Sequence, residues 1–447
     1  MKSQLKAVID LHERLYHGLK VQPNDRQTKE HLASENLFAF STFRLPAASD
    51  LRPLIGFSVM KAAITRCLKS SVNPSLDEFS EGIIVSSSSC DHVNAQHYIR
   101  SMSGKKNLTY IIKDHISFRG EFSWAEWITW FFFALKQSLR TLGSKHKSNM
   151  ALTIIEVLEI SVLLKWLERY NLKSIYDFVP FEVDSNFMYL CTRELGVHTT
   201  KIPSSGPLST HNKIMLCDTL VLSGGYHFEE LKRLKQRYHV GNYISWPPER
   251  AHTYYDLYAK AAITTNPTTL GFYSHGEWIR KKNGLVKETS SLVQAEEDVL
   301  RFLGNFLLEH PNFLLTIYPH PKERKSCSLE QLHAYYIEMT GSKHVTIAPA
   351  TKGTTLRFQE VDTAITCYST IIFERLYCGF KTLIKRIDEH DFPMEGSPLN
   401  NVCFETYDQL SALILNASTT DTSRFFEQHG LNNYLHHHFP TPISNHE

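Results

Sequence analysis

Two stretches in the last third of the chain constrain its fold most: FLLTIYPHPKE, beginning at Phe313, and VDTAITCYSTIIFERLYCG, beginning at Val361. In each, a short apolar run without helical period stops at a polar tip. Phe313 to Tyr318 lies between Pro311 and the pair Pro319 and Pro321, which predicts a strand buried on both faces of a parallel sheet. Thr363 to Cys367 predicts a second such strand, followed by Ser369, Thr370 and a helix from Ile371 to Cys378 closed by Gly379. His320, Ser369 and Thr370 would then stand just past strand carboxyl ends, where open α/β sheets hold ligands. Ser369 or Thr370 would cap the helix, so that backbone N–H groups, two hydroxyls and the positive helix end face one anion, for which phosphate is the natural guest. Glu374, one turn inside, would accept a hydrogen bond from a ribose hydroxyl. Singly, a Pro-His-Pro turn is often a rigid loop and Ser-Thr an ordinary cap; their matching positions make them a candidate site.

The surrounding sequence alternates strand and helix. Leu270 to Tyr273 predicts a strand; Leu292, Ala295, Val299, Phe302, Leu303 and Phe306 share one helical face behind a Ser291–Gln294 box; Ser328 with Gln331 opens a boxed helix ending at Gly341. Strands follow at Val345 to Ile347 and Thr382 to Lys385, which together describe a doubly wound parallel sheet. In the first half, strands are expected at Gly82 to Val85, Leu108 to Ile112, Ser174 to Val179, Thr199 to Ile202 and Thr219 to Leu222, a second open α/β sheet. Pro247, Pro248, Asn266 and Pro267 punctuate the junction. The expected organisation is an N-terminal domain over 1–255, a C-terminal domain over 256–415 and a loosely held polar tail over 416–447.

A chain of 447 residues exceeds one compact core, and 42% hydrophobic with 21% charged residues describes a globular protein. The formal charge of +2 gives no reason to invoke nucleic acid. Eight cysteines without a CxxC pair imply a reducing compartment and no structural zinc, and His436, His437 and His438 lack the carboxylates or thiolates that would make them a metal site. The N-terminal stretch is polar and amphipathic rather than a secretory signal, which places the protein in the cytoplasm. Trp124 to Leu135, followed by Lys136, Arg140, Lys145 and Lys147, is too short to span a bilayer. It reads equally as a helix lying on a membrane surface or as a core helix with a basic loop after it. Ala151 to Tyr170 reads as a buried packing helix.

With two Rossmann-like domains and a phosphate clamp on the second, the chain resembles the GT-B glycosyltransferases of bacterial surface-polysaccharide synthesis. The His-Pro element (His320, Pro321) and the paired hydroxyls (Ser369, Thr370) look like those of CMP-sugar-dependent sialyltransferases and polysialyltransferases, with looser analogues in the glycerol-phosphate polymerases of teichoic acid synthesis. GFYSHGEWIR, Gly271 to Arg280, sits where such enzymes begin the nucleotide-binding domain. Thr370 replaces the usual serine, and the acidic-acidic-glycine motif of polysialyltransferases is not found. The resemblance implies two facing domains around a central cleft. It also implies that His320 donates to the donor phosphate and helps the nucleotide leave, that Ser369 and Thr370 bind that phosphate, and that Glu374 binds the ribose. Ser274, His275, Gly276 and Glu277 would border the sugar phosphate.

Fixed donors in a dry cleft can stabilise a leaving phosphate without a divalent metal, and the chain has no DxD triplet. A general base is expected from the N-terminal domain: Glu182 with Asp184, or Asp91 with His92. Ser204, Ser205 and Gly206 could touch the acceptor. The expected activity is an inverting, metal-independent transfer of a nonulosonic acid or Kdo-like sugar from a CMP donor to a surface glycan or glycolipid, with no cofactor and with peripheral contact at the inner membrane. The alternatives are a CDP-glycerol or polyol phosphotransferase, a sugar-nucleotide epimerase, and a GT-B scaffold without activity.

Overall fold

In the computed structural model the chain builds two parallel six-stranded sheets, one after the other. The residues described are 4–10, 80–86, 92–112, 116, 121–141, 149–178, 183–203, 215–234, 238–260, 265–284, 291–350, 353–367, 369–387 and 396–435. The first domain runs β1 (Gly82–Ser86), α1 (His92–Ser103), β2 (Leu108–Ile112), α2 (Trp124–Thr141), α3 (Asn149–Arg169), β3 (Ser174–Asp177), α4 (Val183–Glu194), β4 (His198–Lys201), β5 (Met215–Leu222), α5 (Gly225–Leu234) and β6 (Tyr238–Ser245). α6 (Glu249–Lys260) leads into β7 (Thr269–Tyr273), α7 (Glu277–Lys282), α8 (Ser291–Glu309), β8 (Leu314–Tyr318), α9 (Pro321–Ser326), α10 (Leu329–Thr340) and β9 (Val345–Ile347). A 3-10 turn (Thr354–Glu360), β10 (Thr363–Thr366), α11 (Ile371–Tyr377), β11 (Thr382–Lys385), β12 (Cys403–Phe404), α12 (Tyr407–Thr419), α13 (Thr422–Gln428) and α14 (Leu431–Leu435) complete it.

The strand orders are β2-β1-β3-β4-β5-β6 and β12-β11-β10-β7-β8-β9, every neighbouring pair parallel. Counted from β7, the second order is the Rossmann sequence three-two-one-four-five-six, with its topological switch between β7 and β10. Its central strands carry apolar side chains on both faces: Leu270, Phe272, Ala364, Ile365 and Leu383 are all buried. Helices therefore cover both sides. α8 presents Leu292, Val299, Leu303 and Phe306 to this core, the face its 3.6-residue period requires. Together the two sheets form two Rossmann-like doubly wound domains, the GT-B-like plan.

Several expectations need correction. The strand beginning at Phe313 is not buried on both faces: Leu314 is 57% exposed, and Thr316 and its β9 partner Thr346, on the same face of the sheet, are not buried either, so that face is open near the sheet edge. Strands β6 and β12 were not anticipated from the sequence. The expected loose tail is packed at least to Leu435, since Phe425, Phe426, Leu431 and Leu435 are all buried in the core of the second domain; residues 436–447, including the three histidines, lie outside the described residues. The expected boundary at 255 falls within α6, which packs against α1 of the first domain and α11 of the second. A further link is Tyr226 of α5, which stacks on Phe373 of α11 with ring centroids 4.1 Å apart.

The aromatic segment from Trp124 is a core helix on one side only. Trp130 and Phe133 are buried in the first-domain core, while Trp124, Ile128, Phe131, Phe132 and Leu135 on the opposite side are exposed. α3 is a packing helix, with Leu158, Val162, Leu163 and Trp166 buried. Among the described residues, no helix is long and apolar enough to cross a membrane.

Candidate functional site

The carboxyl ends of β7, β8 and β10 open onto one cavity of about 600 Å³. Ser274, just after β7, His320 and Pro321, just after β8, and Ser369, Thr370 and Glu374, after β10, all line it. The sequence placed these groups far apart, and the topology of the second sheet brings them to one wall. His275 and Gly276 do not line the cavity, although the His275 and His320 rings lie 6.0 Å apart. Asp91 and Glu182 lie outside the described residues, as do Ser204, Ser205 and Gly206; of His92 and Asp184 the backbone alone is described.

His320 is held by its own chain. It is the N-cap of α9, where its Nδ1 accepts the Lys322 backbone N–H at 3.1 Å and Glu323 returns the bond to the His320 N–H, closing a capping box. Because Nδ1 accepts, the neutral ring carries its proton on Nε2. Burial above all, then the His275 ring, the Arg280 guanidinium and the Lys322 ammonium, push its pKa down to about 4. The imidazole is therefore a neutral hydrogen-bond donor at neutral pH.

Two buried glutamates position this wall. Glu323, wholly buried, also accepts from the Trp278 indole and, at 2.7 Å, from the Tyr336 hydroxyl. Glu296 of α8 accepts the backbone N–H groups of His275 and Glu277, and so holds the turn after β7 in place. In that turn Gly276 has φ +75, and a Cβ there would lie 3.0 Å from the His320 Cβ. The floor is the stacked pair Tyr273 and Tyr318, whose ring centroids are 4.4 Å apart. Beneath Tyr273 the buried Arg375 donates to its hydroxyl at 2.9 Å and to the Phe358 carbonyl at 3.0 Å.

Of the two residues expected to cap α11, Ser369 does so and Thr370 does not. Thr370 is in helical conformation and its side chain makes no capping bond, while Ser369 Oγ accepts the Ile371 N–H at a long 3.4 Å. The turn has already begun at Ser369, whose carbonyl accepts from Ile372. The Ser369 hydroxyl thus makes one long bond to the helix end, and the Thr370 hydroxyl makes no capping bond. Glu374 lines the cavity but is 2% exposed, so a ligand can meet only an edge of its carboxylate.

Sequence reasoning overlooked the charges. Arg250 of α6, Arg324 and Lys325 of α9, and Arg357 of the 3-10 turn line the same cavity, against Glu374 as the sole carboxylate among the described residues of the lining. Arg357 pairs with Glu360 at 2.7 Å, whereas Arg324 is held by the neutral Ala348 carbonyl at 2.6 Å. The run Lys322, Glu323, Arg324, Lys325 directly after Pro321 was the available signal, with Glu323 at the capping-box distance from His320. For Arg250 and Arg357 there was none.

No family model matches the sequence, and no curated protein matches it. Solved structures do. An O-GlcNAc transferase from Thermobaculum terrenum is similar at 13% identity and TM-score 0.38 over 97% of this chain and 78% of its own. S. aureus MnaA, in a co-structure with UDP, is similar at 11% identity and TM-score 0.45 over 80% of this chain and 92% of its own. The wall teichoic acid polymerase TagF is similar at 10% identity and TM-score 0.41 over 96% of this chain and 93% of its own. Likeness this distant identifies neither donor nor reaction, and the assignment of the fold rests on the two sheets themselves.

Proposed function

We propose that the protein is an inverting glycosyltransferase that binds a cytidine-nucleotide donor in the second-domain cavity and moves a nonulosonic acid or Kdo-like sugar onto a glycan or glycolipid acceptor. The observation that carries this reading is the meeting of His320, Ser369 and Thr370 on one cavity wall together with Arg250, Arg324 and Lys325. The cations attract an anion, and the neutral Nε2–H and the hydroxyls supply directional donors to a phosphate. Negative charge grows on that phosphate as its bond to the sugar breaks, so donors fixed beforehand act where charge develops. In this reading fixed side chains, not a divalent metal, meet that charge. The stacked Tyr273 and Tyr318 and the buried Glu296 and Glu323 keep those donors from moving away. The first domain supplies the acceptor side and the base, Glu182 or Asp91, and contact with the inner membrane is peripheral.

A second reading has an observation in its favour. The cations outnumber what one phosphodiester needs, and the second anionic group they imply is either the carboxylate of a nonulosonic acid or the second phosphate of a CDP-polyol. The latter would make the protein a phosphotransferase of the teichoic acid kind.

Calorimetry with CMP, CDP and UDP tests the site. Cytidine nucleotides should bind, and His320→Ala and Ser369→Ala should each weaken binding by about 10-fold or more, the worth of one hydrogen bond to a charged group. Absence of binding by all three nucleotides, or unchanged affinity in both variants, overturns the reading. Turnover of a CMP-sugar against CDP-glycerol then decides between the two donors.

A further inference from the structure

We infer that the outward face of α2 is a membrane-contact surface for an anionic bilayer, bringing the first domain to its lipid-linked acceptor; the mention of an acceptor rests on the transferase reading, the contact itself does not. α2 is apolar on two opposite sides. Trp130 and Phe133 fill the first-domain core, and Trp127 packs half-buried beside them. Trp124, Ile128, Phe131, Phe132 and Leu135 follow at i, i+4, i+7, i+8 and i+11, one continuous stripe, and are 85%, 55%, 52%, 62% and 41% exposed. No other element among the described residues gathers exposed large apolar side chains in this way; the remainder are scattered singly.

The charges in this part of the sequence choose the occupant. From Trp127 to Ile155 the sequence contains no Asp or Glu but carries Lys136, Arg140, Lys145 and Lys147. The one carboxylate of α2, Glu126, is turned inward, where it pairs with Lys165 at 2.8 Å and accepts the Ser123 N–H at 2.7 Å. Exposed aromatic side chains on a helix whose sequence run carries cations and, from residue 127 to 155, no carboxylate suit a negatively charged lipid surface. A second copy docked through the same face in a two-fold pair would oppose two sequence runs that are both basic. The helix is 18 residues long, and no helix among the described residues meets the requirements for crossing, so the contact is parallel to the surface.

The test is flotation of the full chain with vesicles of phosphatidylcholine alone and of phosphatidylcholine mixed with phosphatidylglycerol, at low and high salt. The protein should float with the mixed vesicles and less so at high salt. The double variant Phe131→Ser/Phe132→Ser, which alters two exposed positions and should keep its circular dichroism, should partition about tenfold less or weaker still. Failure to float with anionic vesicles, or equal flotation of the double variant, overturns the proposal. So does a concentration-dependent dimer abolished by that variant, which would assign the face to a second copy. Flotation needs neither nucleotide nor turnover, so its failure leaves the calorimetric test of the donor site standing, and the reverse.

Discussion

Glu296 lies wholly inside the second domain and yet touches the site, because its oxygens hold the turn after β7 by its backbone. Burial, opposed by the bonds from the His275 and Glu277 N–H groups, pushes its carboxyl up to about 8. Between the ordinary 4.5 and about 8 the folded chain holds a proton that the unfolded chain has released, so this group's contribution to stability is lost as pH rises through that window. Glu296→Gln keeps an acceptor for one of the two N–H groups and removes the titration. Urea unfolding across the window should show the natural protein losing ground to the variant as pH rises, and parallel curves would contradict the assignment. His320 acts in the opposite sense: depressed from 6.5 to about 4, it withdraws stability as pH falls between those values. Gly276 is the backbone counterpart. A side chain there would have to adopt a left-handed conformation and press on His320, so Gly276→Ala should cost about 1–2 kcal/mol in urea unfolding and weaken nucleotide binding together.

Among the elements, α10 was the most legible. Its Ser328–Gln331 box and its Gly341 end, at φ 63, stand where the sequence put them, because caps are local chemistry that packing seldom overrides. Ser328→Ala should lower stability by about 1 kcal/mol, read from the denaturation midpoint. What no local rule announces is how near α10 comes to α8. A Cβ on Gly304 would lie 1.7 Å from the Thr340 carbonyl oxygen, so the glycine sets the distance between the two helices. Gly304→Ala must push them apart and should cost about 3 kcal/mol, well beyond its gain in helix propensity. At α11 the pair Ser369 and Thr370 left two candidates for one cap. The turn starts at Ser369, whose hydroxyl accepts the Ile371 N–H, and leaves Thr370 in helical φ and ψ without a capping bond. β8 misled for a different reason: its apolar run is genuine, but the face that carries Leu314 and Thr316 is open near the sheet edge.

At the scale of the molecule, the last helix returns to the first domain. The Tyr434 hydroxyl donates to Glu229 of α5 at 2.6 Å and accepts from Ser397 at 2.8 Å, so one side chain joins α14, the loop before β12 and the first domain. Tyr434→Phe should cost about 1–2 kcal/mol and broaden the calorimetric transition as the domains uncouple. A single sharp transition at unchanged temperature would show that the stacked Tyr226 and Phe373 carry the junction instead. The sequence by itself determined the alternation of buried strand and amphipathic helix, and with it two doubly wound sheets, since hydrophobic period and caps act over a few residues. It also marked His320, Ser369 and Thr370, because polar tips after apolar runs must lie at strand ends. Tertiary structure alone decided that these tips share one cavity and that Arg250 and Arg357 join them. It decided too that Glu296 and Glu323 hold them and that α2 spends one apolar face on the core and leaves the other outside. Such facts depend on strand order and on how helices seat against a sheet, where residues far apart in the chain meet, and no window of sequence contains both partners.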